Sequence, residues 1–143
     1  AMLPIFNILG NDYKTKNIIT HIDDEGHDQF TKITFLYDHA VASATVAKGV
    51  KSEGELIISG TRGYIYVPAP WWKTDYFEIR YEDASQNKRY FYQLDGEGIR
   101  YELVAFTRAI ESGRNLSYVD SNVSNRICEV VGDFYAQKDC AMI

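Results

Sequence analysis

The chain has 143 residues, a formal net charge of −5 and a sequence pI of about 5.1, with 45% hydrophobic residues and a mean hydropathy of −0.29. Length predicts one domain over residues 1–143, able to bury roughly 68–70% of its unfolded surface without a metal or a disulfide. The acidic balance excludes sequence-independent binding to nucleic-acid backbones, which needs clustered Lys and Arg, and no apolar run approaches the roughly 20 residues of a membrane span. Two cysteines, Cys128 and Cys140, show no metal-ligand spacing, and no secretory signal is visible, so a reducing, cytoplasmic setting is expected.

In chain order, Leu3-Pro4-Ile5-Phe6-Asn7-Ile8-Leu9-Gly10 reads as two turns of an apolar helix closed by a glycine C-cap. From Asn17 to Asp95 the period is 2 rather than 3.6. Strands are expected at Asn17–Asp23, Gln29–Tyr37, Val41–Lys48, Glu55–Ser59, Tyr64–Val67, Tyr76–Asp83 and Arg89–Leu94. Their links are too short for helical crossovers, so neighbours should pair antiparallel. Ile33, Phe35 and Tyr37 form one face of the second strand, and Phe77, Ile79 and Tyr81 oppose Glu78, Arg80 and Glu82 on the sixth.

The run Ser-Gly-Thr-Arg-Gly between Ile58 and Tyr64 reads as a hairpin loop, with Gly60 and Gly63 supplying positive φ. Pro68 and Pro70 then end strand pairing and leave Trp71 and Trp72 on a loop at the sheet margin. After Gly96-Glu97-Gly98 the period changes. Leu103, Phe106 and Ile110 mark a helix from Ile99 to Ser112 closed by Gly113, and Val123, Ile127, Val130, Val131 and Phe134 mark a second one capped by Asp120 or Ser121. Strands followed by two amphipathic helices predict an α+β fold: an open, largely antiparallel β-sheet with helices packed on one face. Cys128 is expected in the core.

Glu53 to Val67, Trp71-Trp72, Gly98-Ile99-Arg100-Tyr101-Glu102-Leu103, Phe106, Ala109-Ile110 and Gly113 together resemble the C-terminal half of the glucose-fructose oxidoreductase / inositol dehydrogenase / rhizopine-catabolism (Gfo/Idh/MocA) family, especially its dihydrodiol-dehydrogenase-like members. The resemblance runs from about Leu3 to Tyr135 and implies a C-terminal domain of the dihydrodipicolinate-reductase-like, glyceraldehyde-3-phosphate-dehydrogenase-like kind. It further implies an NAD- or NADP-dependent oxidoreductase of a sugar, polyol or diol, in which this domain supplies part of the substrate pocket and the oligomer interface. The family's Gly-x-Gly-x-x-Gly turn, its Glu-Lys-Pro motif and its Asp-x-Gly-x-(Tyr/His) segment are all missing here. The expectation is therefore a half without catalytic residues, metal or cofactor site of its own, its Rossmann partner removed, supplied in trans or never present. Self-association through the open sheet face is expected, because aromatics occur on both parities of the strands.

Four residues are candidate substrate contacts: Trp71 and Trp72, whose indoles suit the apolar faces of sugars or diols, and Lys73 and Arg100, which suit a polar substrate or the absent nucleotide domain. His21, His27 and His39 share no spacing and read as surface positions, and Glu53 with Glu55 reads as a solvated pair before it reads as an acid/base couple. Two other classes stay open beside the dehydrogenase half: a stand-alone binding or oligomerisation module derived from that family, and an unrelated small α+β enzyme or ligand carrier.

Overall fold

The computed structural model describes residues 1–96, 98–114 and 117–143. Glu97, which flanks the glycines before the first long helix, lies outside them. In chain order the elements are α1 (Leu3–Leu9), β1 (Thr15–Ile22), β2 (Asp28–Leu36), β3 (Val41–Ala47), β4 (Leu56–Gly60), β5 (Gly63–Val67), β6 (Tyr76–Tyr81), a 3-10 turn (Ala84–Gln86), β7 (Lys88–Phe91), α2 (Ile99–Ser112), α3 (Ser121–Tyr135) and β8 (Cys140–Met142). The fold is α+β. The strands divide between two four-stranded sheets, ordered β3-β2-β1-β8 and β4-β5-β6-β7, in which β1–β8 is the parallel pair. The chain forms two compact units, one of Ala1–Lys51 with Tyr118–Ile143 and the other of Ser52–Ser117.

In the first unit, alternation in β1 turns Lys16, Ile18 and Thr20 inward, and in β2 it turns Thr31, Ile33 and Phe35 inward. The antiparallel register sets Ile18 opposite Ile33 and Thr20 opposite Thr31. The two threonine hydroxyls satisfy each other at 2.8 Å, so this polar pair carries no unpaired group. Helices α1 and α3 cover this face. Ile5 and Phe6 from α1 and Val123 and Val130 from α3 close on Ile18, Ile33, Phe35 and Ala44. Phe35 sits edge-on to Phe6 at 5.2 Å and against Tyr13 at 5.0 Å, geometries that add to the burial of area.

Helix α3 begins at its expected cap, with Asp120 accepting from the Asn122 N–H at 2.8 Å. On its helical wheel Val123, Ile127, Val130 and Phe134 fall within one narrow arc, whereas Cys128 lies about 140° from Val123. Cys128 is accordingly exposed, which corrects the expectation that it is a core residue.

In the second unit the hairpin β4–β5 pairs from Leu56↔Val67 to Gly60↔Gly63. Neither Gly60 nor Gly63 has positive φ; Gly63 is required for another reason, since a Cβ there would stand 2.5 Å from the Arg80 carbonyl oxygen across the β5–β6 pair. Helix α2 has the expected bounds and the expected left-handed C-cap at Gly113, but it buries no residue: Leu103, Phe106 and Ile110, expected against the sheet, are exposed.

Phe35→Ala removes the ring at the centre of the first unit's core and is expected to cost about 3–5 kcal/mol in chemical denaturation. A loss under about 1 kcal/mol would place the core elsewhere.

Candidate functional site

The tryptophan loop follows β5. Trp71 donates its backbone N–H to the Gly54 carbonyl at 3.0 Å, and the two indoles meet edge to face at 5.8 Å. Trp71 is half-buried, while Trp72 is 61% exposed with its six-membered ring near Gly54. Lys73 closes the turn by donating its N–H to the Pro70 carbonyl at 2.8 Å, and its side chain is exposed. These three expected contacts share one loop. Arg100, the fourth, stands in the first turn of α2 and pairs with Asp95 rather than with either indole. The loop offers an apolar, flat-sided surface with one cation beside it.

The glycines do not fit a dinucleotide. Pyrophosphate binding takes converging N–H groups at a helix N-terminus that directly follows a strand. Gly60 and Gly63 join two antiparallel strands, and Gly98, at φ 87°, opens α2 with residues 92–96 intervening after β7. The cation nearest that helix start, Arg100, is neutralised by Asp95, so the turn offers no net positive charge to a diphosphate.

One face of the second sheet is organised around a carboxylate. Register sets Tyr66 opposite Glu78 and Glu78 opposite Arg89, with Tyr64 opposite Arg80 and Tyr76 opposite Phe91. Glu78 is buried, and it is the only buried residue among the described residues of this unit. The sequence assigns it to the solvated side of β6; it is covered because Arg80 donates Nε to Oε2 at 2.6 Å and Arg89 donates Nε to Oε1 at 2.7 Å from either flank. Those guanidiniums hold its carboxyl below the usual carboxylate range. Each in turn lies over a ring, Arg80 at 4.4 Å from the Tyr66 centroid and Arg89 at 4.7 Å from that of Tyr76. The result is a fixed platform of tyrosine, phenylalanine and arginine facing outward.

The first unit holds an open cleft of about 500 Å³ between the start of β1 and the end of α3. Its lining includes Lys16, whose inward position on β1 buries the side chain while Nζ reaches Asp133 and Asp139, each at 2.7 Å. Burial opposes the charge, but the hydrogen bonds to the two carboxylates outweigh it and hold Lys16 above its ordinary value. Held between the two carboxylates, Lys16 braces the start of β1 against the end of α3 and the turn after it. Sequence reasoning did not single it out. Its signal is the parity it shares with Ile18 and Thr20, which sends an ammonium inward and demands partners that lie 117 and 123 residues away.

The remaining polar candidates are scattered. His21, His27 and His39 are all exposed, with His27 near Asp23 and Glu25 at 3.5 and 3.7 Å. Glu53 and Glu55 precede β4 and are exposed. Among the described residues no group of three or more His, Cys, Asp or Glu could hold a metal ion, and no helix is long and apolar enough to cross a membrane. No protein-family model matches the chain, and no curated protein matches it.

Two outcomes follow from this geometry. Acrylamide should quench the Trp71→Phe chain, which keeps Trp72, more strongly than the Trp72→Phe chain, and equal Stern–Volmer slopes would contradict the unequal burial. Asp133, held low chiefly by its hydrogen bond from Lys16, contributes stability that is full above the ordinary carboxylate range and is lost as pH falls through its lowered value. A Lys16→Met chain should therefore show a shallower drop in melting temperature from about pH 5 downward than the parent; identical acid limbs would mean the triad does not couple to folding.

Proposed function

We propose that this chain is the substrate-pocket and assembly half of an NAD- or NADP-dependent oxidoreductase acting on a sugar, polyol or diol, and that hydride transfer depends on groups outside it. The observation that carries the reading is the platform on the second sheet. Arg and Tyr are the residues most enriched at the energetic centres of interfaces. Here the buried Glu78 holds Arg80 and Arg89 over the rings of Tyr66 and Tyr76, so little of the arginines' side-chain freedom remains to be lost on association. Phe91 at the platform edge is 73% exposed. The Trp71–Trp72 loop supports the pocket role, since an exposed indole resting on a second ring is a suitable wall for the apolar side of a polyhydroxylated substrate. Nicotinamide dinucleotide belongs to the other half in this reading, because neither glycine pair offers the frame its phosphates need.

The alternative, a stand-alone binding or oligomerisation module, draws on the same platform and differs only in what the tryptophan loop meets. Both readings expect self-association through the open sheet face as a two-fold pair.

Sedimentation at roughly 50 µM should give a dimer for the parent chain and a shift toward monomer for Phe91→Glu, with circular dichroism unchanged. A parent that stays monomeric removes the assembly role. Calorimetric titration with NADH and NADPH should give no dissociation constant below roughly 100 µM, about 5.5 kcal/mol. Tighter binding would mean that a dinucleotide site is built from residues other than the glycines.

A further inference from the structure

The apolar stripe of α2 is uncovered, and its pattern specifies what covers it. Ile99, Leu103, Phe106 and Ile110 are between 59% and 66% exposed. The half-buried residues of the helix are Ala105 and Ala109. At about 100° per residue the four large side chains fall within about 60° of one another, and the alanines lie about 110° away round the helix. So the small residues of α2 are its sheltered ones and its large ones are left exposed.

The spacing of that stripe is four, three and four residues, the a/d seam of a two-stranded coiled coil and narrower than the stripe of a helix that covers a sheet. The seam also reads alike from both ends: Ile, a large residue, a large residue, Ile, about a midpoint between Val104 and Ala105. We propose that α2 pairs antiparallel with α2 of a second copy of this chain. In that pairing Ile99 meets Ile110 of the second copy and Leu103 meets Phe106, so two Leu–Phe layers fill the centre and smaller β-branched layers close the ends.

Charge supports the antiparallel order. Arg100 and Glu111 lie on the same flank of the seam at opposite ends of the helix, so the two-fold axis brings the other copy's Glu111 beside each Arg100 as a second carboxylate next to its own Asp95, and makes the contact twice. The opposed helix dipoles add in the same sense. Covering four side chains on each copy removes on the order of 1,000 Å² from water, the low end of what a specific pair needs.

The seam residues do not overlap the platform on the second sheet, and the two are tested apart. In a Cys128→Ser, Cys140→Ser background, chains carrying Ile99→Cys are mixed with chains carrying Ile110→Cys under mild oxidation. The mixture should yield the mixed disulfide dimer, and either chain alone should yield at least tenfold less, because an antiparallel pair holds like positions on the order of 16 Å apart. Cross-linking of either chain alone to the extent seen in the mixture would mean a parallel pair and overturn the proposal, as would no cross-link in the mixture. Phe106→Glu replaces an exposed side chain and should leave circular dichroism unchanged while lowering the mixed cross-link at least tenfold; an undiminished cross-link overturns the seam. Phe91→Glu should leave that cross-link intact, so loss of sheet-face association and loss of helix pairing are read separately.

Discussion

A sheet or helix with one apolar side is stable only when that side is covered, and the two units of this chain meet the requirement differently. In the first, α1 and α3 bring Ile5, Phe6, Val123 and Val130 onto the inward residues of β1 and β2, and Phe6, Ile18, Phe35 and Val130 are almost wholly removed from water. In the second, no apolar residue among those described is buried, and the one buried group is a carboxylate. The self-association proposed for this chain rests on the apolar and aromatic surface left exposed in that unit's sheet and helix.

Each unit also carries an ion triad, and the two are complementary in composition. The first places one ammonium between two carboxylates, Lys16 with Asp133 and Asp139; the second places one carboxylate between two guanidiniums, Glu78 with Arg80 and Arg89. Buried ion pairs are weak sources of net stability, because desolvation offsets attraction, but they fix geometry. Lys16 ties the end of α3 and the turn after it to β1. Glu78 holds two arginines flat over Tyr66 and Tyr76, which turns flexible side chains into a rigid surface.

Where a local rule sufficed, the sequence was legible. Alternation located the seven long strands to within a few residues, and the Asp120 cap and the Gly113 terminus set helix ends correctly. What resisted were features decided by distant pairing. Nothing local in Ala84 to Phe91 tells that Arg89 will reach across to Glu78, so a residue read as solvated became the centre of a site. Nothing local in Cys140 to Met142 tells that three residues will add a parallel strand to β1. Cys128 is a different case, because the helical wheel already sets it away from Val123 and only its residue type suggested burial. Of the four candidate contacts, a proline-bounded loop puts Trp71, Trp72 and Lys73 together, whereas Arg100 pairs with Asp95, a partner the sequence reading did not assign it.

The strand β8 gives the first unit an order of events. It pairs Ile18 with Cys140 and Thr20 with Met142, so the unit's first strand is completed by its last, with the whole of Ser52–Ser117 made in between. During synthesis at roughly 5–20 residues per second, that edge of β1 emerges many seconds before its partner, and its backbone donors and acceptors stay open to any other chain that offers a strand. The intervening unit can pair its own four strands in that interval. The β1 edge thus stays open to misassociation until Cys140–Met142 is made and pairs with it, long after β2 has closed the other side of the strand.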